Sequence, residues 1–412
     1  MINLTLNCRF CNEVLTNIFV DLGMSPLSNA FLKKEMIDSE KKYPLCAYVC
    51  DNCFLVQIPE FEKPENIFDD YAYFSSYSST WLQHAENYVN MIIKKFNFNE
   101  KNFVVEIASN DGYLLQFFKE KNIPILGIEP AVNVAKVAIE KEIPTITKFF
   151  SVNTANELRI EGKKADLIIG NNVLAHVPNL NDFVQGLKIL LKPNGVITLE
   201  LPHILQLIQK NQFDTIYHEH FSYFSLTSLY QIFSSHNLNI FDVEELPTHG
   251  GSLRIFVKHS SNILYEKKQS VSKMLQVEEE FGLKKIETYK NFSNKVKKTK
   301  DGLRRFLENV KKENKKIVCY GAAAKGNTLL NYCDVKSDEI EYVVDKNPHK
   351  QGLLLPGTHI PIKTPEEIFQ TKPDYVLILA WNLKDEIMLQ MEKIKTWGGK
   401  FVIPIPEVKI YK

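Results

Sequence analysis

Short, strongly apolar runs closed by turn residues recur through the middle of the chain, at 103–107, 125–128, 166–169 and 196–199. Runs of this length fit strands buried on both faces. Residues 113–121 follow the first run as a helix. Strand–helix alternation of this kind predicts a mostly parallel sheet with helices on both faces, over residues 69–260. The alternation restarts over 316–412, with strands predicted at 316–320, 342–344 and 375–380. Between the two lies 261–315, charge-rich and without proline, which reads as one or two long helices acting as a connector more than a core. Residues 1–68 alternate short apolar runs with turns such as Leu22-Gly23-Met24-Ser25-Pro26 and read as a small β-rich module. The expected architecture is two α/β domains joined by helices behind that module. No short-period repeat is apparent.

Length and charge narrow this picture. A chain of 412 residues implies two or three domains. Lys+Arg 50 against Asp+Glu 49 leaves no basic excess, so a nucleic-acid partner is not expected. Lys297, Lys298 and Lys300 read as a solvated helix face. No run approaches ~18–20 apolar residues, so no membrane span is expected. No charged leader precedes an apolar run, so no signal peptide is expected and the predicted location is cytoplasmic. In that reducing compartment, seven cysteines suggest metal binding or buried thiols rather than disulfides.

Five of the cysteines fall in residues 1–68. Cys8-Arg9-Phe10-Cys11 and Cys50-Asp51-Asn52-Cys53 form two C-x2-C knuckles, each able to point both sulfurs at one ion. Together they predict a four-sulfur zinc site. The gap from Cys11 to Cys50 is longer than the usual ribbon spacing, and buried free thiols are the plainer alternative. Cys46 is a possible replacement ligand with poorer spacing. Four thiolates leave no open position, so the one zinc is expected to be structural. A module this short lacks core area, and the metal would supply folding energy. Cys319 and Cys333 read as ordinary buried thiols.

The first α/β unit carries a candidate cofactor loop. Val104-Val105-Glu106-Ile107 runs into Ala108-Ser109-Asn110-Asp111-Gly112, with a helix behind. Small residues let the backbone approach a ligand, and a helix start offers free N–H groups. The next strand ends in Glu129-Pro130, an acid placed to accept ribose hydroxyls. NAD fits this geometry as well. S-adenosylmethionine (SAM) is favoured by Glu106, which could pair with a cationic methionine end, and by Asn171, Asn172 and His176 past a later strand. The turn 191–196 then leads into a further strand. A strand-end solvated carboxylate is the plain reading of Glu106.

Tyr217-His218-Glu219-His220-Phe221-Ser222-Tyr223-Phe224 concentrates ionisable groups in an aromatic stretch. Histidine titrates near ~6.5 and suits proton abstraction. A tyrosine hydroxyl can stabilise an oxyanion. If extended, the segment puts His218 and His220 on one face with Glu219 opposite; a turn would change that. The segment lacks the i, i+4 histidine pair of a zinc protease. Core histidines are the other plain reading.

The second α/β unit opens with Ile317-Val318-Cys319-Tyr320-Gly321-Ala322-Ala323-Ala324-Lys325-Gly326. Gly321, Ala323 and Gly326 stand at the positions of a G-x-G-x-x-G loop, where backbone N–H groups can approach a diphosphate. Lys325 adds charge, and Asp345 ends the next strand as Glu129 does. A second SAM or NAD site, or a scaffold that binds nothing, are the alternatives.

Four features in one order are similar to those of a known family: the cysteine module, EIASNDGYLL at 106–115, YHEHFSYFS at 217–225 and GAAAKG at 321–326. THGGSLR at 248–254 also looks like it. The chain resembles, over nearly its whole length, the SAM-dependent sugar C-methyltransferases of deoxysugar pathways. The resemblance implies a class I SAM methyltransferase domain, with Glu106, Ala108, Ser109, Asn110, Gly112, Glu129, Pro130, Asn171 and Asn172 at the cofactor. It implies His220 as base, with Tyr217, Glu219, His176 and a tyrosine near Tyr71 beside the sugar; Tyr73 and Tyr77 compete with Tyr71. Gly321, Ala323, Lys325, Gly326, Asp345 and His249 would hold a TDP-, GDP- or CDP-linked keto sugar, methylated at C-3. The chain would be a monomer or a small homo-oligomer. The rival readings are an NAD-dependent sugar-nucleotide oxidoreductase or epimerase, and a zinc-ribbon binding protein with degenerate enzyme domains.

Overall fold

The computed structural model describes residues 6–62 and 74–412. Its backbone is organised as three sheets. The central one has seven strands in the order Leu238–Leu246, Ser252–His259, Leu191–Pro202, Ala165–Asn171, Val104–Ile107, Ile125–Ile128 and Thr145–Ile146. Only Ser252–His259 runs against its neighbours. The four strands from Leu191–Pro202 to Ile125–Ile128 are mostly apolar and buried, as parallel strands covered on both faces are, with polar residues such as Glu106 and Glu200 toward their carboxyl ends.

Strand order reverses beside Val104–Ile107, where Ile125–Ile128 pairs on one side and Ala165–Asn171 on the other. Such a switch point opens a crevice at the strands' carboxyl ends. The C-terminal sheet repeats the device. Its order is Ile362–Lys363, Val343–Val344, Ile317–Tyr320, Tyr375–Ile378, Lys400–Ile403 and Lys409–Tyr411, with Ile317–Tyr320 at the switch. All neighbours are parallel except the last pair.

The third sheet is antiparallel and joins Asn17–Ser25, Tyr43–Val49, Val56–Gln57 and Ser222–Tyr223. Its last strand comes from the far side of the chain: Val56 pairs with Tyr223 and Gln57 with Ser222. The histidine-rich segment is thereby stitched to the cysteine module.

Several elements differ from expectation for local reasons. The helix expected at 113–121 is only Leu115–Lys119, because the preceding residues are consumed by the loop turn. The strand expected at 196–199 extends over Leu191–Pro202, lengthened by pairing with Ser252–His259. Its register shifts between Ala165/Leu191 and Leu167/Val196, which places Lys192–Gly195 out of the ladder. Residues 261–315 hold three helices, Gln269–Phe281, Ile286–Lys290 and Phe292–Lys312. The longest buries Phe292, Val296, Thr299, Leu303, Leu307 and Val310, an i, i+3/i+4 stripe. Phe292 stacks on Phe19 at 4.6 Å between centroids, so this helix contributes core as well as connection.

Candidate active site and metal centre

The crevices of the two parallel sheets face each other across a cavity of about 800 Å³. Its wall takes Ala108, Asn110, Glu129, Pro130, Asn171, Asn172 and His176 from the central domain. Tyr217, Glu219, His220 and His249 come from the segments above it, and Ala323 and Lys325 from the C-terminal sheet. Sequence positions more than two hundred residues apart thus meet in one space.

The cofactor loop reaches its shape through unusual backbone angles. Ala108 and Asn110 have φ of 55° and 51°, and Gly112 has 76°. Asparagine tolerates this region; alanine does so at a cost. At Gly112 a Cβ would stand 2.3 Å from Ile143 Cδ1, so glycine is needed for space as well as for φ. Gly112 and Ser109 shape the loop without facing the cavity. Glu129 closes it: its carboxylate accepts hydrogen bonds from the backbone N–H of Asn110 and of Ala131, each at 2.9 Å. Burial raises the Glu129 pKa, and those two N–H groups oppose the rise.

Glu106 is 1% exposed and lies behind the wall. Burial, then the charges of Glu129 and Asp111, push its carboxyl well above the usual range, with Tyr113 working the other way. Tyr113 itself faces the cavity, beside Trp81. Neither aromatic is among the site residues expected from sequence, although Tyr113 directly follows Gly112 of the loop.

The second loop copies the first. Asp345 accepts hydrogen bonds from Ala322 N–H at 2.7 Å and from Asn347 N–H at 2.9 Å. It therefore braces the loop rather than facing the cavity, as do Gly321, at φ 95°, and Gly326, packed against Leu379. Lys325 donates to Asn382 Oδ1 at 2.7 Å and lies over the Trp381 ring. A second lysine in the wall, Lys350, donates to the Ala322 carbonyl at 2.8 Å. Burial lowers the pKa of both lysines. No sequence motif marks Lys350.

Residues 217–220 form a turn, closed by the His220 N–H to Tyr217 carbonyl hydrogen bond. The turn sends the two histidines apart. His218 reaches the Pro44 carbonyl and packs among Tyr43 and Phe61, outside the cavity. His220 faces the cavity. Its Nδ1 lies 2.9 Å from the Thr215 carbonyl oxygen, which can only accept, so Nδ1 carries the proton. Nε2 then holds a lone pair and accepts from the Tyr217 hydroxyl at 2.7 Å. Burial, and then the charge of His176, lower the His220 pKa well below the ordinary value. Burial lowers His176 and His249 to about 4. The His176 and His220 rings meet edge-on at 4.6 Å. His249, at φ 53°, accepts from the Asn172 amide at 3.1 Å.

Glu219 faces the cavity from the same turn and accepts from the Asn29 amide at 2.5 Å. Burial raises it to about 7. Tyr71, with Tyr73, lies outside the described residues. Tyr77 is exposed and stacks on Phe74.

The sulfurs of Cys8, Cys11, Cys50 and Cys53 lie within 4.8 Å of one another. Separations of 3.5, 3.6 and 3.7 Å recur among them. A tetrahedral zinc with Zn–S near ~2.3 Å requires sulfurs about 3.8 Å apart, so the four fit zinc. Cys46, in the Tyr43–Val49 strand, is not among the ligands. Around the knuckle, the Arg9 guanidinium donates to the carbonyls of Pro178, at 2.8 Å, and Ile58, at 2.5 Å. The centre is thus tied to the cavity wall at 176–179.

Family models match three successive stretches: residues 8–68 to a "Putative zinc binding domain", 82–243 to a "Methyltransferase domain" and 247–406 to a "C-methyltransferase C-terminal domain". The C-methyltransferase NovU of Streptomyces niveus is 34% identical over 404 residues, 98% of this chain and 96% of that protein. The ubiquinone biosynthesis O-methyltransferase of Bartonella tribocorum is 27% identical over 97 residues, 23% of this chain and 38% of that one. Among solved structures, SAM-bound magnesium protoporphyrin IX methyltransferase from Synechocystis PCC 6803 aligns with a TM-score of 0.34 and 14% identity, covering 43% of this chain and 79% of that chain. No helix among the described residues is long and apolar enough to cross a membrane.

Proposed function

The chain belongs to the family of SAM-dependent C-methyltransferases, and from that premise we propose that it methylates C-3 of a nucleotide-linked 4-keto-6-deoxy or dideoxy sugar, with His220 as base. The observation that carries the reading is the fixed tautomer of His220 in the cavity wall, whose Nε2 lone pair accepts from the Tyr217 hydroxyl.

A carbon next to a ketone is acidic enough for a neutral imidazole if the resulting oxyanion is stabilised. In this reading Nε2 of His220 takes the C-3 proton, and the C–H electron pair becomes the enolate double bond with charge on the C-4 oxygen. The Tyr217 hydroxyl, turning from Nε2 to that oxygen, is the donor assigned to it; one well-placed donor is typically worth about 3–4 kcal/mol. SAM, when bound, supplies an electrophilic methyl group that the enolate carbon attacks, with S-adenosylhomocysteine leaving. Ala108, Asn110, Glu129, Pro130, Asn171 and Asn172 are the residues that would hold SAM, with Glu129 at the ribose and Glu106 behind the loop toward the amino-acid end. The buried Glu106 carboxyl is the sort of group that regains its charge when a cation arrives. Lys325 and Lys350, beside Ala323, are assigned to the diphosphate, and His249 to the sugar.

The hydride-transfer alternative yields to the family assignment. The test is direct: incubate the protein with SAM and a panel of TDP-, GDP- and CDP-linked 4-keto-6-deoxy and dideoxy sugars. Mass spectrometry should find one of them heavier by a methyl in place of a hydrogen, with the methyl at C-3 by NMR. If no panel member is methylated, or if methylation falls on oxygen, the reading is wrong.

A further inference from the structure

Trp381 stands at the head of the turn Trp381–Leu383 in the C-terminal domain, yet three strips of the catalytic cavity converge on it. Its indole N–H donates to Asp214 Oδ2 at 2.6 Å, and both groups are buried. Asp214 lies in the turn Phe213–Thr215, whose final carbonyl is the one that fixes Nδ1 of His220. The far edge of the indole abuts Gly250, where a Cβ would come within 2.7 Å of Cη2. The residue before Gly250 is His249, in the cavity wall. Lys325 lies over the indole ring, 4.7 Å from its centre.

Among the described residues, the other ties from the C-terminal domain to this turn are the Thr328 hydroxyl, which donates to the Ile216 carbonyl at 3.2 Å, and the edge contact of Phe213 with Tyr332. Within the turn, the Thr215 N–H and hydroxyl donate to the Gln212 carbonyl at 3.1 and 2.8 Å and the Ile216 N–H to the Phe213 carbonyl at 3.0 Å, so the turn moves as a unit and its outward tie is the Asp214 side chain. A rigid aromatic with one directional N–H, anchored in another sheet, can set that carbonyl's position.

We propose that Trp381, acting through Asp214, is a positioning residue for His220, so that the C-terminal domain fixes the tautomer of the base as well as holding substrate. The inference rests on the reading of His220 as base, which has its own test. Trp381 touches no reacting atom. The Asp214 carboxylate accepts the indole N–H, the turn is held, and the Thr215 carbonyl keeps Nδ1–H of His220 engaged. Because Lys325 rests on the same indole, a ligand drawn to Lys325 bears on the element that holds the base.

The experiment uses the full chain labelled with 15N-histidine. Long-range 1H–15N spectra read the His220 tautomer without any substrate, with His220→Gln identifying the signal. The wild type should show a single neutral Nδ1–H form. Trp381→Phe keeps the ring and loses the N–H, and Asp214→Leu loses the acceptor; both should show mixed tautomers. Asp214→Asn keeps an acceptor oxygen and should restore the wild-type spectrum. With the sugar nucleotide that is turned over, Trp381→Phe should lower kcat about tenfold or more with little change in KM or in SAM affinity, and cost nothing further in a His220→Gln background. A wild-type tautomer in both Trp381→Phe and Asp214→Leu overturns the proposal. If His220→Gln keeps its full rate, the base assignment fails instead, and the tautomer measurement still decides the role of Trp381.

Discussion

The Tyr217 hydroxyl lies 2.7 Å from Nε2 of His220, so the nitrogen assigned as base is already in contact with the donor assigned to the oxyanion. They are three positions apart, and the turn at 217–220 is what brings ring to ring at 4.0 Å. His220→Gln should reduce turnover by ~10²–10⁴ or more, the usual worth of a positioned general base. Tyr217→Phe should lower kcat by ~10²–10³ with a nearly unchanged KM, as loss of one oxyanion donor does. Steady-state kinetics on both variants, with SAM affinity measured by calorimetry, separate chemistry from binding. His218→Ala should keep most of the rate; its loss would shift the assignment to the other histidine.

Glu219 gives a pH signature. In the unfolded chain a glutamate titrates near ~4.3. In the fold, burial raises it to about 7, against the hydrogen bond from Asn29. Between those values the folded state binds the extra proton. The carboxyl's contribution to stability is therefore complete below the window and is lost as pH rises through it. Glu219→Gln cannot ionise, so its stability relative to wild type should improve between about pH 5 and about pH 8, by on the order of 1–3 kcal/mol. Thermal melts at the two pH values check this. A pH-independent difference would mean the carboxyl titrates normally.

The metal centre is predicted to be structural. Cys11→Ser should lose zinc and melt at a lower temperature, whereas Cys46→Ser should retain one zinc by native mass spectrometry. Since Arg9 links the knuckle to Pro178, chelation should also increase hydrogen exchange around residues 176–181. A metal-free protein with unchanged melting would refute the structural role.

Two glycines with nearly equal φ test the loop. Gly112 has φ +76° and a Cβ there would strike Ile143, while Gly162 has φ +75° with open space around it. Gly162→Ala should cost only the backbone strain, about 1 kcal/mol. Gly112→Ala adds overpacking, a further ~1–3 kcal/mol, and should weaken SAM binding. Chemical denaturation and calorimetry measure the two effects. Equal losses at both sites would show that Ile143 moves aside freely.

Lys325 and Lys350 should act on the nucleotide rather than on the methyl donor. Lys325→Met and Lys350→Met are each expected to raise KM for the sugar nucleotide about tenfold, with SAM affinity unchanged. Isothermal titration with the bare nucleoside diphosphate gives the direct comparison. Unaltered diphosphate affinity in both would remove the lysines from that role.

Local pattern made much of the molecule legible. The apolar runs at 103–107, 125–128 and 316–320 appear as strands at those places because burial on both faces leaves them little choice. The C-x2-C spacing was enough to mark the four cysteines whose sulfurs come within 4.8 Å of one another, since two intervening residues set the reach of each knuckle. Glu129 and Lys325 were findable from their offsets behind a strand and a small-residue loop. Other features were set by contacts distant in sequence. His218 and His220 are indistinguishable in the chain, and a turn closed at Tyr217 with a carbonyl from Thr215 separates them. Lys350 and Trp81 belong to no motif, and Lys350 meets the cofactor loop only because the two sheets face one another. The Asp214–Trp381 contact spans 167 positions. Periodicity and spacing encode what neighbours along the chain do to each other. Which nitrogen of His220 bears the proton, and which buried carboxyl has its pKa raised, depend on desolvation and on hydrogen bonds between groups brought together by folding, and only the tertiary structure decides those.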